Sequence, residues 1–249
     1  IKEVYERCSK MDVPMRHPYA GKLVFTAFSG SHQDAINKGM QAMHEKNQEW
    51  WEVPYLPIDP SDIGREYEPI VRINSQSGKG GVAFVMDSEF GYKLPKRMHK
   101  EFADVIQKIA EEQGEVAPAT IMEVFEKEYL RKKTPYEFIR AKAEDVAENE
   151  TEVEVVFMAG EELKSAKAVG NGPLAALKKL MADETGMDFT LVDYSQHALS
   201  KGSEAKAAAY ICLHDNRTGK ETYGVGVSAN ITRAGFRAFF SAVDRLIEN

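Results

Sequence analysis

A histidine and an aspartate stand two residues apart in FSGSHQDAINKG (28–39), and a tyrosine follows in the proline-rich segment WWEVPYLPIDP (50–60). The positive end of a helix dipole disfavours a charged imidazole, so His32 at a helix start would stay neutral and able to accept a proton. Asp34 could bond one ring nitrogen and fix the tautomer, while Tyr55 could add a hydroxyl donor. These residue types predict acid–base chemistry, but they do not name a reaction.

A helix is predicted to present this histidine. Ser31 is a favourable N-cap and Asp34 follows three residues later, which resembles a capping box. Ile36, Met40 and Met43 recur at helical spacing and predict one buried face. Two interpretations stay open: SHQD is only a helix cap, or it is the polar edge of an active site.

Composition excludes several classes of protein. The chain has 249 residues, a hydrophobic fraction of 43% and a formal charge of −7, which is typical of a globular protein that binds neither nucleic acid nor an anionic membrane. No apolar run approaches the roughly 20 residues of a membrane span. Two distant cysteines, Cys8 and Cys212, predict a reducing cytoplasm. Because the chain lacks an initiator methionine, we expect it to be a processed protein or a fragment.

The middle of the chain predicts mixed structure. GVAFVMDSEFGYKLP (81–95) is interpreted as two strands around a turn at 88–91, and the segments 97–114 and 117–130 as amphipathic helices. SQSGKGG (75–81) resembles a phosphate loop, but it lacks the required spacing and would precede a strand, which favours a hairpin turn.

An internal duplication organises the C-terminal half. At an offset of 59 residues, ELKSAKAVGNGPLAALKKLMAD (162–183) lies over ETYGVGVSANITRAGFRAFFSA (221–242), and Asn171 falls on Asn230. Each half offers three strands followed by a helix, so the predicted fold class is α+β, a duplicated βββα domain preceded by helical and mixed segments. VGNGPLAAL is either a tight turn or a helix start whose N–H groups bind an anion.

The six histidines form no metal-binding pair and no cysteine cluster exists, so the sequence predicts no metal site within this chain.

Six motifs occur in order along almost the whole chain: FSGSHQDAINKG, VPYLPIDP, VRINSQSGKGGVAFVM, ATIMEVFEKEYL, VGNGPLAAL and DYSQHALSKGSEAKAAAYI. Together they strongly resemble the C-terminal portion of the 2-isopropylmalate synthase family, of the longer type found in actinobacteria.

The resemblance implies four regions. Residues 1–18 would be the tail of a (β/α)8 catalytic barrel that lies mostly outside this chain. Residues 19–60 would form linker subdomain I, residues 61–131 linker subdomain II, and residues 132–249 a leucine-binding regulatory domain that dimerises.

The family condenses acetyl-CoA with 2-oxoisovalerate in leucine biosynthesis, under feedback inhibition by leucine. The reaction uses a divalent metal (zinc, magnesium or manganese), whose ligands are expected on the barrel. His32 and Tyr55 match the residues that the family delivers to the partner subunit's barrel, with Asp34 in support. A homodimer is therefore implied, and this chain alone is expected to be inactive.

The resemblance also implies a leucine site between two regulatory domains. The positions that match it are Asn171, Gly172, Leu174, Ala175, Tyr194, Ala198, Ala205, Ala207 and Ile231. Two alternatives stay open: a stand-alone amino-acid-binding regulatory module, and part of a sister synthase that makes citramalate or homocitrate.

Overall fold

The computed structural model describes residues 1–21, 24–25, 30–47, 49–65, 67, 73, 79–130, 135–200, 202 and 205–247. The chain folds into two compact units. The first unit comprises Ile1–Val85 and Phe102–Pro118, and the second comprises Met86–Glu101 and Ala119–Asn249. The domain boundaries that the resemblance implies, after residues 18, 60 and 131, remain predictions.

The regular elements follow in chain order. The helices before the first strand are α1 (Lys2–Ser9), α2 (Gly30–Lys46), α3 (Lys79–Phe90), α4 (Met98–Gln113) and α5 (Pro118–Phe125), which a π-helical turn (Glu126–Leu130) extends. The elements after it are β1 (Tyr136–Ala147), β2 (Glu150–Ala159), β3 (Glu162–Gly170), α6 (Pro173–Thr185), β4 (Phe189–Ala198), β5 (Ala207–Asp215), β6 (Glu221–Ser228) and α7 (Ile231–Ile247).

In the first unit, α2 packs on the proline-rich loop. Ile36 is fully buried in a cluster that includes Val53, and Met40 and Met43 pack against this cluster, which confirms the predicted apolar face of α2. Gly39 permits the close contact, because a Cβ at this position would lie 2.6 Å from Cδ of Pro54.

The second unit contains the predicted duplication. Strands β1-β2-β3 form one antiparallel sheet and β4-β5-β6 form another, and each sheet is followed by its helix, α6 or α7. Their inner faces share one core with both helices, built from residues such as Val155, Phe157, Leu177, Ile211 and Phe239. The α+β class and the two βββα units are therefore confirmed.

Helix α7 lies directly on the backbone of β6. A Cβ on Gly224 would lie 2.2 Å from the carbonyl oxygen of Ala238, and a Cβ on Gly226 would lie 2.2 Å from that of Ala234. No side-chain rotation relieves a contact with backbone, so only glycine fits at these two positions of the strand.

We expect Gly226→Ala to lower the free energy of unfolding by about 1–3 kcal/mol, because the added methyl forces the strand and the helix apart. Urea denaturation measures the effect. Gly80→Ala is the control, since nothing lies within 4 Å of the methyl added there. Equal unfolding free energies for the two variants would contradict the packing argument.

The two strands predicted within residues 81–95 are wrong, because residues 79–90 form helix α3. Gly81 and Ala83 are buried as well as Val82, Val85 and Met86, so these turns lack the polar face that would have revealed the helical period. The expected turn is the end of this helix: Gly91 has a φ of 74° and its N–H bonds to the carbonyl of Asp87 at 3.0 Å.

The same correction applies to SQSGKGG. Its last residues open a helix rather than a strand, and residues 74–78 lie outside the described part of the chain. The other two predicted helices of this region are confirmed as α4 and α5. Gly114 ends α4 with a φ of 86°, and Phe125 and Tyr129 are buried.

Candidate functional site

The structure brings His32 and Tyr55 together. Their ring centroids are 4.2 Å apart and the ring planes are inclined by 33°. His32 lies in the first turn of α2 and is half-buried, whereas Tyr55 lies in the proline-rich loop with 62% of its surface exposed. An imidazole and a phenol therefore lie side by side where solvent reaches both.

The backbone around Tyr55 is held in an unusual conformation. Its φ is 65°, in the left-handed region that bulky residues rarely adopt. Val53 and Leu56 on either side are buried, the N–H of Leu56 bonds to the carbonyl of Val53 at 3.3 Å, and the indole N–H of Trp51 donates to the carbonyl of Leu56 at 2.7 Å. The loop thus fixes a strained residue whose side chain faces solvent, a feature that clusters at functional sites.

Asp34 does not take the orienting position that was expected. Its carboxylate is exposed and accepts a hydrogen bond from Nζ of Lys38 at 2.6 Å, one turn along α2, rather than from the imidazole of His32. Residues two positions apart point to different sides of a helix, which is why Asp34 meets Lys38 and not His32. That Asp34 supports catalysis remains a prediction.

Gln33 is a site neighbour that the sequence reasoning missed. It is fully buried, and its Oε1 accepts a hydrogen bond from the hydroxyl of Tyr67. Burial raises the pKa of Tyr67, although the bond to Gln33 lowers it in part, so the hydroxyl remains a donor. This buried bond fixes the first turn of α2, which also carries His32. No periodic pattern could have paired two residues 34 positions apart.

Within the described part of the chain, no group of three His, Cys, Asp or Glu side chains is arranged to hold a metal ion. Among the same residues, no helix combines the length and the apolar character that crossing a bilayer requires.

Two residues of the predicted leucine site converge in the second unit. Leu174 comes from the first turn of α6 and Tyr194 from β4, and both approach Gly235 of α7. A Cβ placed on Gly235 would lie 3.7 Å from Cδ2 of Leu174 and 3.6 Å from the hydroxyl oxygen of Tyr194. The phenol also donates to Oε1 of Gln196 at 2.7 Å, and burial raises its pKa.

The predicted alanines lie where β4 leads into β5. Ala198 and Ala207 are paired across the two strands, and Ala205 is half-buried in the connecting loop. Ile231 is 54% exposed at the start of α7. The remaining predicted residues, Asn171, Gly172 and Ala175, lie around the start of α6.

The two helix starts related by the duplication differ. Oδ1 of Asn230 accepts a hydrogen bond from the N–H of Arg233 at 2.9 Å and so caps α7. Helix α6 follows Gly172 without a side-chain cap, and the equivalent residue, Asn171, is exposed. The first N–H groups of α6 therefore have no capping side chain and can bind an anion such as a carboxylate.

The fold combines a domain of two βββα units with a helical region that carries a histidine–tyrosine pair. Residues 22–87 match the family model described as alpha-isopropylmalate synthase, post-catalytic domain-like, and residues 115–247 match the LeuA allosteric (dimerisation) domain. The chain belongs to the 2-isopropylmalate synthase family, as the sequence motifs indicated.

Relatives named 2-isopropylmalate synthase occur in distant bacteria. The chain is 46% identical over 251 residues to the protein of Clostridium acetobutylicum, an alignment that covers 98% of this chain and 45% of that protein. It is 43% identical over 269 residues to the protein of Corynebacterium glutamicum strain R (100% and 43%) and 45% identical over 259 residues to that of Mycobacterium leprae (98% and 42%). The chain thus spans less than half the length of these relatives.

Proposed function

We propose that this chain is the linker and allosteric part of a 2-isopropylmalate synthase, which condenses acetyl-CoA with 2-oxoisovalerate in leucine biosynthesis and is inhibited by leucine. The observation that carries the catalytic half of the proposal is the contact between His32 and Tyr55, which lies in the region that matches the post-catalytic domain.

The condensation requires removal of a proton from the methyl group of acetyl-CoA. A neutral imidazole at His32 accepts such a proton, and the phenol of Tyr55 donates a hydrogen bond to an oxygen on which charge develops. The divalent metal of the reaction would be held by residues outside this chain. In a homodimer, the exposed edge of α2 and its loop reaches the barrel of the second subunit.

The regulatory half of the proposal places leucine beside the start of α6. The uncapped N–H groups of this helix bind the carboxylate, since an anion is favoured at a helix N-terminus. Leu174, Tyr194 and Ala205 provide an apolar wall for the branched side chain. The name of the matched domain, allosteric and dimerisation, supports a regulatory site in a dimer.

Calorimetric titration of this chain tests the regulatory half. We expect leucine to bind, and Ala205→Phe to abolish the binding heat because the ring fills the space of the ligand. Ala147→Phe, at an exposed position of β1, is the matched control and should bind leucine normally.

Isoleucine and lysine are titrated in parallel, because a sister synthase would respond to a different amino acid. Binding of leucine by Ala205→Phe with unchanged affinity would place the ligand elsewhere. Tighter binding of isoleucine or lysine than of leucine would contradict the proposed role in leucine biosynthesis.

A further inference from the structure

Gly235 is a glycine inside a buried helix. It lies in the second turn of α7 and is itself buried. Glycine in a helix interior is less stable than alanine, because it loses more conformational freedom on folding. A glycine in this position therefore calls for a structural reason.

Packing within the chain supplies that reason for other glycines but not for Gly235. A Cβ would lie within 2.6 Å of another atom at Gly39, Gly170, Gly224 and Gly226, so these positions exclude any side chain. At Gly235 the nearest atom would be 3.6 Å away, which is an ordinary van der Waals contact. The chain by itself would accommodate alanine there, and glycine leaves a gap the size of a methyl group.

The surroundings of this gap suit an aliphatic group. One side is Cδ2 of Leu174, and another is the ring edge and hydroxyl of Tyr194. Tyr194 is 39% exposed, so the gap adjoins a side chain that solvent reaches. The start of α6, with its uncapped N–H groups, carries Leu174 in its first turn.

We propose that Gly235 determines the size of the aliphatic side chain that the regulatory site accepts. The end of the ligand side chain packs on the bare backbone of α7 between Leu174 and Tyr194, while the ligand carboxylate lies at the start of α6. This inference rests on the proposed function, since it identifies the part of that site that selects a branched amino acid over a larger or smaller one.

Gly235→Ala tests the proposal by effects of opposite sign on stability and on binding. The added methyl stabilises α7, so the Tm should rise by about 2–4 °C. The same methyl occupies the ligand gap, so the Kd for leucine should increase roughly tenfold or more, the usual effect of one methyl group in an apolar pocket. Valine, which is one methylene shorter, should lose less affinity than leucine.

Gly80→Ala is the matched control, because it also adds a methyl to a helical glycine with free space and lies far from Gly235 in sequence. It should leave the Kd for leucine unchanged. The wild type, Gly235→Ala and Gly80→Ala are compared by calorimetry with leucine and valine. Their thermal unfolding and their mass in solution are also measured.

The outcomes separate two failures. A wild-type chain that binds leucine, together with a Gly235→Ala variant whose Kd lies within twofold of it, would contradict the role of Gly235 alone. A fall in Tm, or a change of oligomeric mass with unaltered leucine affinity, would show that the gap serves packing or a second copy of the chain. A wild-type chain that binds no amino acid would contradict the proposed function, and the role of Gly235 with it.

Discussion

Replacing His32 by alanine in the full-length enzyme should lower kcat by about 10²–10⁴-fold, because the acetyl methyl group then loses a positioned base. Tyr55→Phe keeps the ring that packs on His32 at 4.2 Å but removes the hydroxyl donor, so kcat should also fall. Steady-state kinetics with acetyl-CoA and 2-oxoisovalerate measures both effects. The Tm should change little, since Tyr55 is 62% exposed and His32 is only half-buried.

Two matched variants distinguish catalysis from structure. His44→Ala removes an exposed histidine from the last turn of the same helix, and Tyr19→Phe removes the hydroxyl of another exposed tyrosine of the first unit. Both should retain wild-type kcat. If His32→Ala and Tyr55→Phe also retained it, SHQD would be only the start of a helix, and the catalytic proposal would be wrong.

The sequence predicted the residue types of this site but not its geometry. That His32 and Tyr55 act as acid and base remains a prediction, and their contact depends on Gly39, which lets the loop approach α2. The expected bond between Asp34 and the imidazole of His32 does not form, because residues two positions apart on a helix do not face each other. On a helix, the residue four positions along lies on the same face as Asp34, and Lys38 occupies that position.

The duplicated domain was predictable because its order of elements repeats at an offset of 59 residues. Strands such as β2 also show alternating burial over part of their length, whereas β5 is buried on both faces and does not alternate. The repeat does not show which of two aligned residues caps its helix. Asn230 caps α7, whereas the equivalent Asn171 does not cap α6. Helix α3 was missed because residues 81–86 are buried or half-buried all round the helix and show no helical period.

A buried ionic cluster in the second unit was also beyond the reach of the sequence. Arg245 of α7 is 6% exposed and donates to Oε1 of Glu101 at 2.8 Å and to Oε2 of Glu128 at 3.0 Å. Its guanidinium also lies over the ring of Tyr129, 4.3 Å from the centroid. Burial alone would lower the pKa of Arg245, but the charges and hydrogen bonds of Tyr129, Glu101 and Glu128 outweigh burial and raise it.

The cluster connects four segments that are distant in sequence. The hydroxyl of Tyr129 donates to Oε1 of Glu101 at 2.9 Å, and the N–H of Tyr223 donates to Oε2 of the same carboxylate at 3.1 Å. One carboxylate at the start of α4 is thus bound to the π-helical turn, to β6 and to α7. Removing Arg245 leaves the carboxylate of Glu101 without its main cationic partner. Water solvates this carboxylate only in part, because the side chain is 25% exposed.

We therefore expect Arg245→Ala to lower the free energy of unfolding by about 3 kcal/mol, because breaking a buried ion pair from one side leaves an uncompensated charge. The double variant Arg245→Met with Glu101→Gln should be closer to the wild type, since it removes both charges and restores apolar volume. Urea denaturation compares these chains with Arg97→Ala, which breaks the exposed pair between Arg97 and Glu221 and should cost less than about 1 kcal/mol. If Arg245→Ala were no less stable than Arg97→Ala, the cluster would not be what holds α7 to the start of α4.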